Sequence, residues 1–574
     1  MSRSSLIPQF QLAAIALLGP CPPGCDLMEL RRTQLAEAEA LLSRVRPFAV
    51  LGKGPPRRNP GEPPLRVSWS SIGPAMLALL HFGTLSLHIH GAYQSSSTSW
   101  QHLTPYIPVV IDWLEYVHPS NGHIEVIPTA GACCTPNVVL SVLRGLCKPG
   151  LHGEDTPSTK TCGFLSQTPV LSWLLDLWLD FDLGDYNASI QEDFIQQIII
   201  QLCKFAYGDY HPPPGRHLSD PPSETMQLPY ELLALIRQKT GRRKLCHIIS
   251  RWAEALQERP DDEGCAKAFF LFALSLLTVP ELLPQVYPRE ALKRLLRCLD
   301  RHLSLGHYVT VATGFVYLEC IWIAAMDHRA LQWSITEGIF TTCLRTAIVA
   351  PEHPEVIAML GRLADTLQQS LAYWRVLDVF RRKHGPDLPQ LRLISRKHPL
   401  IADILVAYDA RIEQLDEAEA DLKEKKGRCS NDECPNSEAV NEQRQDWRRE
   451  HSGSCLYGRK KRVKITPLTN SDVGKTSARD IHFIGCLVFN YRRKNEQRIV
   501  GEALALDPLR AHRVQVHVDL RPAVICHTIR LVEETSNEKG AWTMELYAGW
   551  LDSGTYRNIL CEATEMPEVH EDAA

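Results

Sequence analysis

Val170-Leu-Ser-Trp-Leu-Leu-Asp-Leu-Trp-Leu-Asp-Phe181 decides the class of this chain. Leu171, Leu174, Leu175 and Trp178 recur at i, i+3, i+4 and i+7, the spacing that lines one face of a helix. The same periodicity extends to both sides. It predicts helices over residues 28–47, 72–88, 107–117, 138–146, 190–205, 229–237, 245–256, 266–277, 289–303, 309–325, 335–348, 356–380 and 401–425. Breakers such as Pro119-Ser-Asn-Gly122 and His211-Pro-Pro-Pro-Gly215 separate them, because proline lacks an N–H donor and glycine adds chain entropy. Helices joined by polar loops predict a mainly α chain, an irregular α-solenoid of armadillo or HEAT character. No clean repeat period registers, so an irregular helical bundle satisfies the same pattern.

Composition narrows the function classes. The chain has 574 residues, 44% hydrophobic and 22% charged, the proportions of an ordinary globular protein. A formal net charge of -4 provides no global attraction to nucleic acid or anionic membrane. The 18 cysteines are scattered, several inside apolar runs, as at Cys203 and Cys298. That usage predicts reduced core thiols and a cytoplasmic or nuclear location. In this setting Asn187-Ala-Ser189 is expected not as a glycosylation site but as a helix start, with Ser189 and Glu192 forming a capping box. No apolar run reaches the roughly 18–20 residues of a membrane span. Near the N-terminus, Arg3 and the apolar run at 12–18 resemble a signal peptide. The run is short, though, and Pro20-Cys-Pro-Pro23 replaces a cleavage site, so a short packing helix is expected.

Five segments follow. Residues 1–65 hold an N-terminal helix and a Pro/Gly linker, and residues 66–425 a helical repeat-like domain. A cysteine–histidine segment covers 426–458, a basic linker 459–476 and a small α/β unit 477–574. The polar stretches 93–102 and 148–161 are expected as mobile surface loops. Residues 411–425 are densely charged and predict a solvated helix with i, i+4 ion pairs. Beyond 476, Ser477-Ala-Arg-Asp480 starts a helix running through Phe483, Leu487 and Tyr491 to about Ala505. The period then changes from helical to twofold. Val514, Val516, Val518 and Leu520 alternate with Gln515, His517 and Asp519, the signature of a half-buried strand. Ile529 and Leu531 flank Arg530, and Trp542, Met544 and Leu546 alternate with Thr543 and Glu545. Ser536-Asn-Glu-Lys-Gly540 reads as the hairpin joining these last two strands.

The chemistry-bearing stretch is Cys429-Ser-Asn-Asp-Glu-Cys434-Pro-Asn with Gln443-Arg-Gln-Asp-Trp447-Arg-Arg-Glu-His451-Ser-Gly-Ser-Cys455. Its spacing, C-x4-C-x16-H-x3-C, is close to that of one-zinc fingers. On a helix, His451 and Cys455 share one face at i, i+4. These residues resemble the opening thiol pair and the closing helix of fungal MYND-type zinc finger proteins, which also carry a helical region and a short C-terminal α/β tail. Such a finger has eight ligands in four pairs, the first and third holding one zinc and the second and fourth another. Here the first and last pairs stand, Glu442 occupies the position of a family cysteine, and the four absent ligands correspond to about Ser437 to Glu442. Three readings are open: the four donors rearrange into a single Cys3His zinc site, the finger is a metal-free vestige, or the coding sequence lacks a segment of it. The resemblance implies a platform for protein partners, including proline-containing peptides, and not a catalyst.

Other motifs carry less. Gly474-Lys475-Thr476 resembles the end of a phosphate-binding loop, but Thr469 stands where its first glycine belongs. Cys133-Cys134, with Cys147 or Cys162, are expected as ordinary thiols, and His88 and His90 as polar helix-end residues. The sequence contains no HExxH pair, G-x-S-x-G elbow, dinucleotide fingerprint or SET-type Asn-His-Ser-Cys run. Arg459-Lys-Lys-Arg-Val-Lys464 is a basic cluster suited to nuclear import or local phosphate contact. The expectation is a non-enzymatic interaction scaffold with a degenerate MYND-type zinc finger, its cofactor zinc in the single-site reading and absent in the vestigial one. The alternative is a nuclear, DNA-associated transcriptional regulator that uses a one-zinc finger and the basic cluster.

Overall fold

The structure, a computed structural model, describes residues 3–17, 26–42, 44–57, 64, 72–91, 102–124, 135–146, 169–180, 198–199, 202, 228–256, 263–284, 286–325, 328–425, 478–509, 512–532, 543–552 and 555–565. These are mainly helical, with one small sheet near the C-terminus. The chain divides into two compact units, residues 1–216 with 220–282, and residues 217–219 with 283–574.

The first unit contains α1 (Arg3–Ala16), α2 (Leu27–Leu42), α3 (Gly73–Gly91), α4 (Ile107–Val117), α5 (Thr135–Leu146), α6 (Val170–Leu179), α7 (Tyr230–Lys239), α8 (Arg242–Ala255) and α9 (Glu263–Leu277). The N-terminal segment is a packing helix, as expected. Phe10 and Ala14 are fully buried, and Phe10 meets Phe48 edge-on at 6.0 Å. Helices α3 and α5 cross where both carry glycine. A Cβ on Gly83 would lie 2.5 Å from the Ser141 carbonyl carbon, and one on Gly145 would lie 2.6 Å from the Ser86 Cβ. Backbone approach, not side-chain interlocking, therefore sets that crossing. Within α6 the predicted stripe is buried, and so are Val170, Trp173, Leu177 and Leu179. A helix apolar on nearly every face belongs inside a layer. Its C-terminal turn is tied to α8, where the Trp252 indole donates to the Trp178 carbonyl at 2.9 Å.

The second unit contains α10 (Arg289–Ser304), α11 (Tyr308–Ala324), α12 (Arg329–Glu337), α13 (Ile339–Val349), α14 (Pro354–Ser370), α15 (Trp374–His384), α16 (Leu388–Ser395), α17 (Pro399–Lys425) and α18 (Ala478–Leu506). Two expected helices are each divided. The run at 335–348 breaks at Gly338, whose φ of 106° is open to glycine at little cost. The run at 356–380 breaks after Ser370. Leu371, Ala372 and Tyr373 are buried there, so the apolar periodicity continues through the turn and hid it. The short α16 went unread. Expected helix 190–205 lies largely outside the described residues; Ile198, Ile199 and Leu202 are buried.

The sheet follows α18. Its strands are β1 (Arg513–Asp519), β2 (Cys526–Val532), β3 (Thr543–Asp552) and β4 (Thr555–Glu565), in the order β2-β1-β3-β4. The twofold alternation is realised: Val514, Val516 and Val518 are fully buried, and Met544, Leu546 and Ala548 join them across the β1–β3 ladder. Helix α18 packs on β1, β2 and β3, burying Phe483, Ile484, Leu487, Val488, Ile499 and Ala503. The expected hairpin through Ser536–Gly540 is corrected. β1 lies between β2 and β3, pairing antiparallel with β2 and parallel with β3. The strand with the most apolar inner side takes a central place, and a turn signal between two strands does not make them neighbours. Among the described residues, no helix is long and apolar enough to cross a membrane.

Candidate functional site

The four metal-ligand candidates, Cys429, Cys434, His451 and Cys455, lie outside the described residues, as do the basic cluster, Gly474-Lys475-Thr476, Cys133, Cys134, Cys147 and Cys162. The described structure does establish how the chain enters and leaves the cysteine–histidine segment. α17 leads into it and α18 leads out, and the two helices pack together. The Asn490 amide donates to Glu417 at 3.1 Å, and the Lys494 ammonium stands 3.9 Å from Glu413. One pair lies a turn before the other on α17 and a turn after it on α18, so the helices are antiparallel. Residues 426–477 therefore depart from and return to one end of a helical hairpin.

The hairpin is anchored from several sides. Trp374 is buried and meets Phe483 edge-on at 5.8 Å. On the outer flank of α17, Arg381 donates to Asp416 at 2.6 Å and lies 3.6 Å from Glu419. The expectation of a solvated helix at 411–425 needs one correction. Glu413, Asp416 and Glu417 are exposed, but Arg411 is fully buried. Its guanidinium donates to the carbonyls of Gln368 at 3.1 Å, Leu520 at 2.7 Å and Pro522 at 3.1 Å. The Gln368 amide adds a bond to the Arg521 carbonyl at 3.0 Å. Burial pulls the Arg411 pKa down to about 10, so it stays charged at neutral pH. A planar five-donor group suits this task, because it can reach carbonyls on α14 and on the β1–β2 turn at once.

A second polar cluster joins α18 to β2. The Tyr491 hydroxyl lies 2.8 Å from His527 Nδ1 and receives a bond from Arg498 at 2.6 Å. His527 Nε2 lies 3.1 Å from Glu502. With Arg498 donating to the hydroxyl and the hydroxyl donating to Nδ1, the proton sits on Nε2 and points at Glu502. Burial lowers the His527 pKa first of all; Glu502 raises it and Arg498 lowers it. Both ring nitrogens are engaged by protein, so the imidazole works as a strut and not as an exposed base. No motif announces this cluster, because its members meet only when β2 docks on α18.

The first turns of α18 hold a further pair. His482 Nε2 and Cys486 Sγ stand 3.7 Å apart, both half-buried. His-x3-Cys is legible in the sequence and went unread; the signal was the i, i+4 spacing on a predicted helix. Thiols expected in the core are there: Cys246, Cys265, Cys298 and Cys343 are buried, and burial pushes the Cys320 thiol up to about 11. Among the described residues, no group of three or more His, Cys, Asp and Glu could hold a metal ion. No protein-family model, curated protein or solved structure matches this chain.

Proposed function

We propose that this chain is a non-enzymatic protein–protein interaction scaffold: an irregular α-solenoid of armadillo or HEAT character that displays a degenerate MYND-type finger. The observation that carries the reading is the antiparallel hairpin of α17 and α18. A module inserted between two adjacent helix ends is held at one place on its support, as a recognition element requires. Cys429, Cys434, His451 and Cys455 close one Cys3His zinc site. With four protein donors the ion has no open position for water, so its role is structural. A segment of this size has little core of its own, so metal binding supplies its folding energy. The partners are proteins, including proline-containing peptides.

The test uses the full chain and a panel of labelled proline-containing peptides, read by fluorescence anisotropy. Binding that falls tenfold or more in a Cys429→Ser/Cys434→Ser double variant, with far-UV circular dichroism unchanged, is the expected result. A chain that binds none of the peptides overturns the proposal. So does salt-sensitive binding of duplex DNA in place of peptide, which is the behaviour of a nuclear regulator that uses the basic cluster at 459–464.

A further inference from the structure

We propose that β2 (Cys526–Val532) is a docking edge that takes an extended peptide of a partner protein as a fifth strand, a peptide in which apolar and acidic residues alternate. The sheet runs β2-β1-β3-β4, so β2 pairs with β1 on one side, and no strand among the described residues pairs on its other side. Every second residue of such an edge turns its N–H and C=O away from the ladder, and another strand is what meets that row in full. Chains commonly blunt an edge with a proline, a bulge or a very short strand. β2 has none of these. Its seven residues contain no proline, and its ladder with β1 runs from Arg513↔Val532 to Asp519↔Cys526 without a shift of register. The β3–β4 ladder, in contrast, slips between Leu546 and Tyr547.

The side chains of β2 specify the occupant. Val514, Val516 and Val518 on β1 are fully buried on the α18 side, and Leu531, Ile529 and His527 stand opposite them on that same side. Ile529 and Leu531 are only half-buried, so the apolar row stops short at the edge. A valine-sized side chain on an added strand completes it. On the other side Cys526, Thr528 and Arg530 are exposed. Arg530 faces Gln515 across the ladder, and the Gln515 amide already donates to Glu545 at 2.9 Å. No carboxylate among the described residues pairs with Arg530; one on the incoming strand supplies the opposite charge. A second copy of β2 suits the edge less. Paired antiparallel about Ile529, it sets Arg530 diagonal to its own image, like charge against like. This site lies apart from the cysteine–histidine segment and does not rest on the finger.

Three labelled peptides test the edge on the full chain by fluorescence anisotropy: Thr-Val-Glu-Val-Glu-Val-Thr, its counterpart with lysine for glutamate, and the first peptide N-methylated throughout. Amide hydrogen exchange of residues 526–532 is followed alongside. We expect the glutamate peptide to bind and to slow exchange at 526–532, and the N-methylated peptide not to bind. Arg530→Glu should weaken the glutamate peptide tenfold or more and strengthen the lysine peptide, with circular dichroism unchanged. Binding should survive Cys429→Ser/Cys434→Ser, which separates this edge from the finger. A chain that binds neither charged peptide at about 1 mM overturns the proposal. Binding that leaves exchange at 526–532 unchanged, that is indifferent to Arg530→Glu, or that is lost in the double variant overturns it too. A dimer whose 526–532 amides are already protected, and which takes no peptide, overturns it in favour of a second copy.

Discussion

Replacing Arg411 by methionine tests whether a buried cation holds the helical layer to the sheet. Methionine keeps much of the stem and removes every donor. Three bonds to carbonyls of Gln368, Leu520 and Pro522 are lost. At roughly 1.5–3 kcal/mol for each bond from a charged group, the loss is roughly 5–9 kcal/mol. Against this stands the desolvation of the guanidinium. Its pKa falls from 12.5 to about 10, which corresponds to roughly 3 kcal/mol that the variant recovers. The net expectation is a destabilisation of about 2–6 kcal/mol, a large share of the stability of a domain. No carboxylate is left stranded, so the case differs from a broken buried ion pair; the carbonyls that lose a donor are backbone and cannot be mutated away. Urea unfolding at neutral pH measures the change. Hydrogen exchange at residues 513–532 should rise most, because the clamp ends on the β1–β2 turn. Glu413→Gln, on the exposed side of α17, is the control and should move stability by less than about 0.5 kcal/mol. An Arg411→Met chain as stable as the wild type, or more so, would refute the reasoning.

Acid should destabilise both units. His81, His302 and His384 are buried, and burial lowers each pKa to about 4, with His307 adding to the effect at His302 and Lys383 at His384. The unfolded groups take up protons near pH 6.5 and the folded ones near 4, so stability is present above 6.5 and is lost as pH falls through that window. At pH 5 the loss is about 2 kcal/mol for each. His384 packs at a tilt against Phe340 and Phe380, and His384→Phe should flatten the slope of urea midpoint against pH; an unchanged slope contradicts this. Gly83→Ala should lower the melting temperature, with a cost of about 1–3 kcal/mol, because its Cβ would press on the Ser141 backbone; Gly52→Ala, with nothing within 4 Å, should not. Tyr491→Phe removes the hydroxyl between Arg498 and His527 and should cost about 1 kcal/mol, with a shift of the His527 imidazole resonances; unchanged resonances would contradict the strut.

Much of the helical layout is legible residue by residue. The helix at Ile107–Val117 has the bounds that its periodicity predicts, and α6, α11 and α18 start or end within a few residues of expectation. The alternation of Val514, Val516 and Val518 likewise specifies both the strand and its inner side. These features depend on neighbours within one or two turns, so the local pattern contains them. The divisions at Gly338 and after Ser370 were harder to see, since buried residues on both sides keep the helical period through the break.

Strand order, the burial of Arg411 and the Tyr491–His527–Glu502 strut were decided by the tertiary structure alone. Each joins residues far apart in the chain, and nothing in the flanking sequence reports which distant surface will be available. Arg411 sits in a charged run and reads as solvated until α14 and the β1–β2 turn close over it. The cysteine–histidine pairs divide along the same line. Cys429, Cys434, His451 and Cys455 are a matter of spacing, which sequence contains. The distance between His482 Nε2 and Cys486 Sγ is a matter of rotamers set by the packed helix, which only the folded chain provides.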